Sequence, residues 1–316
     1  MIVVAGEALV DLLVRPDNTV SATPGGGPFT TARTIGRLGV PVTFLGRLSA
    51  DRFGRAMAAQ LADDGVALGC PDPTAEPTTL ALAELDAEGQ ARYRFYLEGT
   101  SAPALRPTDL RLVTAVAPVA VHIGTLGLVV EPIASTLEGF VAGLRPEVLV
   151  MLDPNCRPSA IADPAAYRAR LERLLRRVDV VKLSREDLSF LRPGEDAEEA
   201  ALALLARDGG TGPAAVLVTA GSDPVVALTR HEVVRVAVPP VMVVDSVGAG
   251  DAFGGALLAW WVLAGASRAG LADPGALRDG VAAAVQVAAI TCERAGADPP
   301  HPAELVGRGP VWPVAP

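Results

Sequence analysis

The chain has 316 residues, half of them hydrophobic and 20% charged. A chain of this length and composition can bury a large apolar core, so the sequence predicts a folded globular protein and excludes a disordered one. The net charge is −9, whereas proteins that bind nucleic acids usually carry an excess of basic residues, so nucleic acid is not expected as a partner.

Short apolar runs alternate along the chain with alanine- and leucine-rich amphipathic stretches. In chain order, the predicted strands are residues 2–5, 42–47, 118–123, 147–152, 178–183, 214–219, 225–228 and 233–238. The predicted helices are residues 28–38, 54–64, 131–143, 164–176, 185–191, 196–207, 250–264 and 275–294. Several strands are near-continuous hydrophobic runs, which is typical of a parallel sheet covered on both faces. The alternation therefore predicts an α/β sandwich.

Two segments, 12–23 and 78–97, depart from this alternation. Both lack helical periodicity, and the second alternates on both sides of a turn signal at Asp86–Gly89. They predict a small β-sheet that stands off the main layer. The end of the chain, 299–316, is rich in proline and is expected to form an extended tail.

Neither a signal peptide nor a membrane-spanning helix is predicted. The N-terminal segment contains Glu7 and Asp11 and lacks a basic start. The uncharged run 113–130 is interrupted by Pro118, and the run 252–267 is shorter than the ~20 residues that span a bilayer. Three cysteines lie far apart without disulfide or zinc spacing, which favours a cytoplasmic location.

Lys182 is the only lysine in the sequence. A P-loop requires the pattern GxxxxGK[ST], and Val181 precedes Lys182, so the chain is not a P-loop enzyme. Chemistry that depends on a lysine, such as Schiff-base formation, is confined to this one position.

The segment 243–259 is the most informative part of the sequence. An apolar run ends at Asp245, glycines follow at Gly248 and Gly250, and an apolar helix begins there. A glycine-rich turn that opens a helix directs backbone N–H groups and the positive end of the helix dipole at an anion. Asp251 lies in the first helical turn, where a carboxylate is well placed to remove a proton from a hydroxyl that attacks a phosphate.

Two simpler interpretations compete with this one. A dinucleotide-binding loop would read GxGxxG, but Phe253 stands where the third glycine should be. Asp251 could also be an ordinary acidic residue at a helix start. The full pattern DSVGAGDAF at 245–253 is more specific than either interpretation requires.

The segment DSVGAGDAFGGALLA at 245–259 resembles the second signature of the ribokinase-like sugar kinases, the PfkB family. Further family motifs occur in order: GEALVDLL at 6–13, PGGGPFTTARTIGRLG at 24–39, GRLSADRFG at 46–54, DPNCRP at 153–158 and LVTAGSD at 217–223. The resemblance covers almost the whole chain. It implies a single ribokinase-like domain, a three-layer α/β/α sandwich with a mostly parallel central sheet and a small β lid formed by 12–23 and 78–97.

The resemblance also implies roles for the matching residues. Those implied to bind the sugar are Asp11, Gly25, Gly26, Thr30, Phe95, Asn155, Arg157 and Asp251. Those implied in catalysis are Gly248, Ala249 and Gly250 as an anion hole, Asp251 as the general base, and Arg157 near the transferred phosphate. Those implied on the ATP side are Ser184, Asp187, Thr219, Gly221, Gly248, Gly250 and Gln286.

The cofactors implied by the resemblance are ATP and Mg²⁺, and a K⁺ requirement is left open. No metal is expected to be held by the protein alone, because Mg²⁺ would arrive with ATP and approach Asp187 through water. The resemblance implies that the lid closes over the sugar and, as in many family members, pairs two subunits. A homodimer through the lid is therefore expected.

Several positions depart from the family pattern. They are Thr30 for asparagine, Ser184 for asparagine and Asp187 for glutamate in the NxxE motif, Pro224 for a glycine of the nucleotide loop, and Leu97 and Pro103 for polar residues of the lid. These departures leave the kinase chemistry intact but leave the identity of the sugar open.

The sequence thus predicts an ATP-dependent kinase that phosphorylates a primary hydroxyl of a ketose, as fructokinases do. A 2-keto-3-deoxygluconate kinase is the alternative, because Arg157 would bind the carboxylate of a sugar acid or a phosphate equally well. A non-catalytic sugar-binding regulatory protein is an alternative from another class, and Asp251 with its glycines argues against it. A nicotinamide dehydrogenase is disfavoured by the glycine spacing.

Overall fold

The computed structural model describes residues 1–86, 91–115, 117–205, 212–309 and 312–313. The strands are β1 Ile2–Ala5, β2 Leu9–Val14, β3 Val20–Gly25, β4 Val42–Leu45, β5 Val66–Leu68, β6 Leu80–Leu85, β7 Ala91–Tyr96, β8 Ala120–Gly124, β9 Leu149–Asp153, β10 Val180–Ser184, β11 Ala215–Thr219, β12 Val225–Thr229 and β13 Val233–Val236. The helices are α1 Gly27–Arg37, α2 Arg52–Asp63, α3 Arg111–Ala115, α4 Ile133–Ala142, α5 Pro164–Leu174, α6 Arg185–Leu191, α7 Ala197–Leu205, α8 Ala249–Leu263, α9 Pro274–Cys292 and α10 Pro302–Leu305.

The main sheet has nine strands in the order β13-β12-β11-β10-β9-β8-β1-β4-β5. The strands from β11 to β5 are parallel, and β12 and β13 form an antiparallel edge. The predicted mostly parallel sheet is confirmed. The short strand β5 was not predicted, because three residues are too few for alternation to show.

Both faces of the main sheet are covered by helices. Ile2 and Val4 of β1 belong to the apolar cluster that includes α1, α2, α8 and α9, whereas Val3 and Ala5 belong to the cluster on the other face with α4, α5 and α7. Successive side chains of a strand point to opposite faces, so a strand that is apolar throughout must be covered on both sides. This arrangement is the predicted α/β/α sandwich.

A second, small sheet is formed by four strands in the order β3-β2-β6-β7. It corresponds to the predicted segments 12–23 and 78–97, although β2 starts at Leu9 and β3 ends at Gly25. Residues 87–90 of the predicted turn lie outside the described residues. The small sheet buries Leu9 and Ala81 against Leu126, so one of its faces packs on the main body.

The C-terminal segment differs from the expected extended tail. It contains the short helix α10, and Leu305 at the end of this helix is buried in the same apolar cluster that Trp312 contacts. Apolar residues at these two positions anchor the segment to the helical layer. Within the described part of the chain, no helix combines the length and apolar character needed to cross a bilayer.

Candidate active site

The turn before α8 has the geometry expected of an anion-binding loop. Gly248 caps α8 in the left-handed region, with φ of 77°. A β-carbon at this position would lie 2.4 Å from the β-carbon of Ala297, so both conformation and space require glycine. The first N–H groups of a helix have no intrahelical acceptor. The Ala249 N–H donates to the Ser246 carbonyl at 3.3 Å, so the first turn of α8 offers the N–H groups of Gly250 and Asp251 to a ligand.

Helices α1 and α8 pack closely and bring Asp251 beside the N-terminus of α1. The Thr31 hydroxyl donates to the backbone carbonyl of Asp251 at 3.2 Å. A β-carbon on Gly255 would lie 2.8 Å from the carbonyl oxygen of Thr31, so glycine permits the close approach. Burial raises the pKa of Asp251, and the positive charges of Lys182 and Arg157 oppose that rise.

Gly27 marks the point where the functional groups converge. A β-carbon here would lie 2.5 Å from Thr125 Oγ1, 3.0 Å from Asp251 Oδ1 and 3.6 Å from Asn155 Nδ2. A hydroxyl, a carboxylate and an amide thus surround one backbone position. The motifs predicted Asp251 and Asn155, whereas Thr125 was missed because it belongs to no motif.

Asp11 and the glycines 25 and 26, which are predicted to bind sugar hydroxyls, lie together at the base of the small sheet. A β-carbon on Gly25 would lie 2.1 Å from Asp11 Oδ2, and one on Gly26 would lie 2.8 Å from the carbonyl oxygen of Glu7. Gly25 therefore lets the backbone approach the Asp11 carboxylate, and Gly26 lets it approach the backbone of Glu7. Burial raises the pKa of Asp11 to about 6, the Asp251 carboxylate adds to the rise, and Arg157 opposes it.

The loop after β9 carries Asn155 and Arg157 and is held by Asp187. Asn155 has a positive φ of 38°, a conformation that is rare outside glycine and clusters at functional sites. Asp187 Oδ1 accepts from the Cys156 N–H at 2.6 Å. The Arg157 guanidinium donates to the carbonyls of Asn155 and Cys156 at 3.3 and 3.2 Å.

Ser184 and Asp187 form a capping box at the start of α6. The Ser184 hydroxyl accepts from the Asp187 N–H at 3.0 Å, and Asp187 Oδ2 accepts from the Ser184 N–H at 2.7 Å. Asp187 is buried, and both of its oxygens are engaged. The structure thus gives Asp187 a role in placing the Asn155 loop, and its approach to magnesium-bound water stays a prediction.

Lys182 is a site residue that the sequence did not assign. It lies within β10 and donates to Asp153 Oδ2 at 2.8 Å, and the two residues are 4% and 2% exposed. A β-carbon on Gly250 would lie 2.8 Å from Lys182 Nζ. The ammonium therefore lies against the backbone of the anion-binding turn. A single charged residue inside an apolar strand was the signal that could have found it.

Thr219, Gly221 and Gln286 are the remaining residues predicted on the ATP side. Gly221 follows β11 with a positive φ of 57° on the surface, and Thr219 donates to the carbonyl of Leu183 at 3.3 Å. Gln286, by contrast, is buried and donates to the carbonyl of Leu305 at 3.1 Å. Gln286 is thus not brought to the surface on which Gly221 lies, and its predicted place beside ATP is not supported by its packing.

Thr30 and Phe95, which are also predicted to bind the sugar, differ in burial. Thr30 is buried, and its Cγ2 lies 3.3 Å from the position of a β-carbon on Gly248. Phe95 is half-buried and packs on the cluster of Leu9 and Leu126. Thr30 therefore backs the anion-binding turn, while Phe95 lines the space below the small sheet.

This geometry agrees with the comparisons. The model of the pfkB family carbohydrate kinases matches residues 1–304. The chain belongs to this family. A fructokinase from Rhizobium leguminosarum bv. trifolii is 34% identical over 264 residues, which are 82% of this kinase and 79% of the relative.

Solved structures extend the likeness to the fold. A fructokinase from Xylella fastidiosa with bound ATP superposes with a TM-score of 0.83 at 28% identity, covering 94% of this kinase and 93% of that chain. A fructokinase from Vibrio cholerae O395 in a fructose, ADP and calcium ion bound form has a TM-score of 0.82 at 28% identity, covering 97% and 98%. A double mutant of that enzyme was solved with fructose, ADP and a potassium ion. The kinase is an ATP-dependent, fructokinase-like sugar kinase.

Proposed function

We propose that this kinase transfers the γ-phosphate of ATP to a primary hydroxyl of fructose or a closely related ketose. The observation that carries the proposal is that Asp251, Asn155 and Thr125 surround Gly27. Asp251 lies in the first turn of α8, the helix that Gly248 caps. A carboxylate base, neutral hydrogen-bonding groups and an anion-binding turn are the parts that phosphoryl transfer to a hydroxyl requires.

Asp251 acts as the general base in this reaction. As the sugar oxygen forms its bond to the γ-phosphorus, the hydroxyl proton passes to the Asp251 carboxylate. The bond between that phosphorus and the bridging oxygen breaks, and ADP leaves with the electron pair. The backbone N–H groups of Gly250 and Asp251 bind the phosphoryl oxygens, which carry the negative charge during the transfer.

Asp11 binds sugar hydroxyls, because its carboxylate lies against Gly25 at the base of the small sheet. Two carboxylates, Asp11 and Asp251, face the sugar position, and they disfavour a negatively charged substrate. Arg157 Nη1 donates to two backbone carbonyls, which fixes the guanidinium against its own loop. This balance favours a neutral ketose over a sugar acid.

We also propose that Mg²⁺ accompanies ATP and that the activity responds to K⁺. Among the described residues, no group of three or more His, Cys, Asp or Glu side chains is arranged to hold a metal ion. Mg²⁺ usually binds through substrate phosphates with few protein ligands, so a nucleotide-borne metal fits this donor set. The bound metal would neutralise the phosphate charge, while the residues above orient the sugar.

A homodimer is the assembly that we propose. The small sheet packs one face on the main body, and its other face carries Leu12, Leu80 and Leu82, each partly exposed, with the exposed Tyr96. The register places Leu82 opposite Leu12 and Tyr96 opposite Leu80, and Leu80 and Leu82 are two residues apart on β6, so the four residues share one face. Contact with the same face of a second copy would bury them.

The general-base role is tested by Asp251→Asn. The amide keeps the shape of the side chain but cannot accept the hydroxyl proton, so turnover should fall by about 10²–10⁴-fold. ATP and sugar should still bind, because backbone amides form the anion-binding turn. Turnover is measured at saturating ATP and sugar, and nucleotide binding is measured by calorimetry.

Asp273→Asn is a matched control, because Asp273 caps the start of α9 through the Gly275 N–H and asparagine caps equally well. Its turnover should equal that of the wild type. Near-normal turnover of Asp251→Asn would remove Asp251 from the mechanism.

Sugar preference is tested with a panel of ketoses and 2-keto sugar acids. Thr30, Leu97 and Pro103 offer fewer hydrogen bonds than the family pattern, and each lost bond is worth about 0.5–1.5 kcal/mol, or up to about tenfold. We therefore expect modest discrimination among ketoses in kcat/KM. Thr30→Asn, a change of similar volume, should raise the preference for the best ketose.

The panel also separates the two kinase alternatives. A strict preference of the wild type for fructose would contradict the weak discrimination expected here. A sugar acid that surpasses every ketose would replace the proposed substrate class.

A further inference from the structure

Lys182 is buried where an apolar residue would ordinarily stand. Its neighbours Val181 and Leu183 in β10 are buried apolar residues, and Lys182 itself is 4% exposed. Replacing a buried ion pair with apolar groups is often neutral or stabilising, so the pair with Asp153 is weak evidence for a purely structural role. The fold alone does not account for this lysine.

The position of the ammonium relates it to the anion-binding turn. Asp153 Oδ2 fixes Nζ at 2.8 Å, and Nζ lies 2.8 Å from the position of a β-carbon on Gly250. Glycine at 250 therefore leaves the space that the ammonium fills. The positive charge lies beside the first turn of α8, one residue from Asp251.

The surroundings of this ammonium are strongly acidic. The titratable and charged groups that face Lys182 or Asp251 are Glu7, Asp11, His122, Asp153, Arg157 and Asp187. Burial and the nearby Lys182 lower the pKa of His122 to about 3, so this histidine is neutral. Arg157 lies on a partly exposed loop, which leaves Lys182 as the buried cation of this group.

We propose that Lys182 is a positioning residue for phosphoryl transfer, whose ammonium, fixed by Asp153 beneath Gly250, keeps Asp251 ionised and makes the anion-binding turn electropositive. The inference rests on the proposed function. A fixed charge in a water-poor site requires no reorganisation during the reaction, which is why such groups stabilise charged transition states strongly. Without Lys182, one cation fewer would offset the negative charge of the transferring phosphoryl group and of the carboxyl groups around it.

Lys182→Met tests the proposal through two kinetic readouts. It keeps the length of the side chain and removes the charge, so kcat should fall by about 10–100-fold with a smaller change in KM for ATP. An opposite charge nearby lowers a carboxyl pKa by about 1–3, so the acid limb of the kcat profile should move up by about one pH unit or more. A merely structural role would reduce stability without moving that limb.

Arg268→Met is the matched control. Arg268 pairs with the buried Asp179 at 2.5 Å, just before the same strand β10. The variant therefore also removes a cation from a buried aspartate, but this aspartate lies at the other end of the strand from the anion-binding turn. Its pH profile and kcat should match those of the wild type. An unmoved acid limb in Lys182→Met, with kcat within about twofold of the wild type, would overturn the proposal.

A spectroscopic test uses the wild-type protein and does not depend on the variant folding. Because Lys182 is the only lysine, lysine labelled with ¹⁵N at Nζ yields a single side-chain ammonium signal. The signal should report a charged ammonium at pH 7 and should shift between the complex with Mg-ADP alone and the complex with Mg-ADP and aluminium fluoride, which mimics the transferring group. A neutral amine, or identical signals in the two complexes, would overturn the proposal.

The two levels of failure are distinguishable. Wild-type protein that phosphorylates no sugar in the panel would reject the proposed function. An active wild type with an unaffected Lys182→Met variant would reject only the role of Lys182.

Discussion

The candidate active site contains backbone conformations that most residues rarely adopt. Thr125 and Asn155 have positive φ values of 53° and 38°, and such conformations persist where the surrounding structure imposes them. Both direct their side chains at Gly27, whose missing β-carbon leaves room for them and for Asp251. Functional groups from three separate segments, those of Thr125, Asn155 and Asp251, can therefore meet beside one glycine.

Gly27→Ala should disable the site without unfolding the protein. Its methyl group would lie 2.5 Å from Thr125 Oγ1 and 3.0 Å from Asp251 Oδ1, so both groups must move. Displacement of about 1 Å at a reacting centre can cost about 10²-fold, and we expect a loss of that order in kcat/KM. The measurement is steady-state kinetics together with the circular dichroism spectrum.

Gly139→Ala separates this effect from a general effect of alanine. Gly139 lies in α4, and a β-carbon there meets nothing within 4 Å. This variant should keep full activity and gain about 0.5–1 kcal/mol in unfolding free energy. Full activity in Gly27→Ala would show that Thr125 and Asp251 need not lie where the structure places them.

Residues inside motifs could be predicted, whereas residues defined by contacts could not. Asp251 and Asn155 stand in patterns that a single sequence shows. Lys182 and Thr125 become candidate site residues only when distant segments meet, at Gly250 and at Gly27. Gln286 was expected beside ATP from the resemblance, but its placement depends on how the C-terminal segment packs over it, which the sequence does not show.

At the scale of elements, the small sheet has an outer face on which apolar side chains are partly exposed. β2 pairs with β3 and β6, and Leu12 lies opposite Leu82 in the register. Arg94 follows next to Leu82 on β7. Arg94 pairs with Glu84 at the rim of this face, and the apolar patch of Leu12, Leu80 and Leu82 beside that pair would be covered by a second copy, which is the physical basis of the proposed dimer.

Leu82→Arg should break this dimer. The substituted charge would lie at the middle of the outer face, beside Leu12 and Arg94, where a second copy would have to bury it or repel it. We expect a monomer by analytical ultracentrifugation, with a raised KM for the sugar if association orders the small sheet. Leu202→Arg is the control, because Leu202 is exposed on α7 of the main body. An unchanged sedimentation coefficient for Leu82→Arg would contradict the proposed interface.

Long apolar strands and helices were the elements that the sequence predicted best. β1 is hydrophobic throughout, β8 and β9 are mostly hydrophobic, and the predicted bounds of all three agree with the structure within a few residues. The start of α2 was predicted at 54 but lies at Arg52, because the Asp51 carboxylate accepts from the Gly54 N–H and caps the helix earlier. The predicted strand 233–238 ends at Val236, where the ladder with β12 ends.

At the scale of the whole molecule, the site region makes stability depend on pH. Glu7 is 1% exposed, and its Oε2 accepts from the Gly127 N–H at 3.0 Å. Its Oε1 is buried without a hydrogen-bond partner. Burial raises the pKa of Glu7 from 4.5 to about 8, so the folded protein keeps a proton here that the unfolded chain releases.

Glu7→Gln should remove this pH dependence. A carboxyl whose pKa is higher in the folded state stabilises fully below about pH 4.5, and that contribution is lost as the pH rises toward about 8. Over this window wild-type unfolding free energy should fall, relative to the variant, by up to about 1.4 kcal/mol per pH unit. Glutamine resembles the protonated acid and carries no titrating group. Urea unfolding of both proteins at pH 5.5, 7 and 8.5 measures the difference, and Glu147→Gln, a change at an exposed carboxylate, should show none. A constant difference between Glu7→Gln and the wild type across this range would mean that Glu7 is ionised in the folded protein at all three pH values.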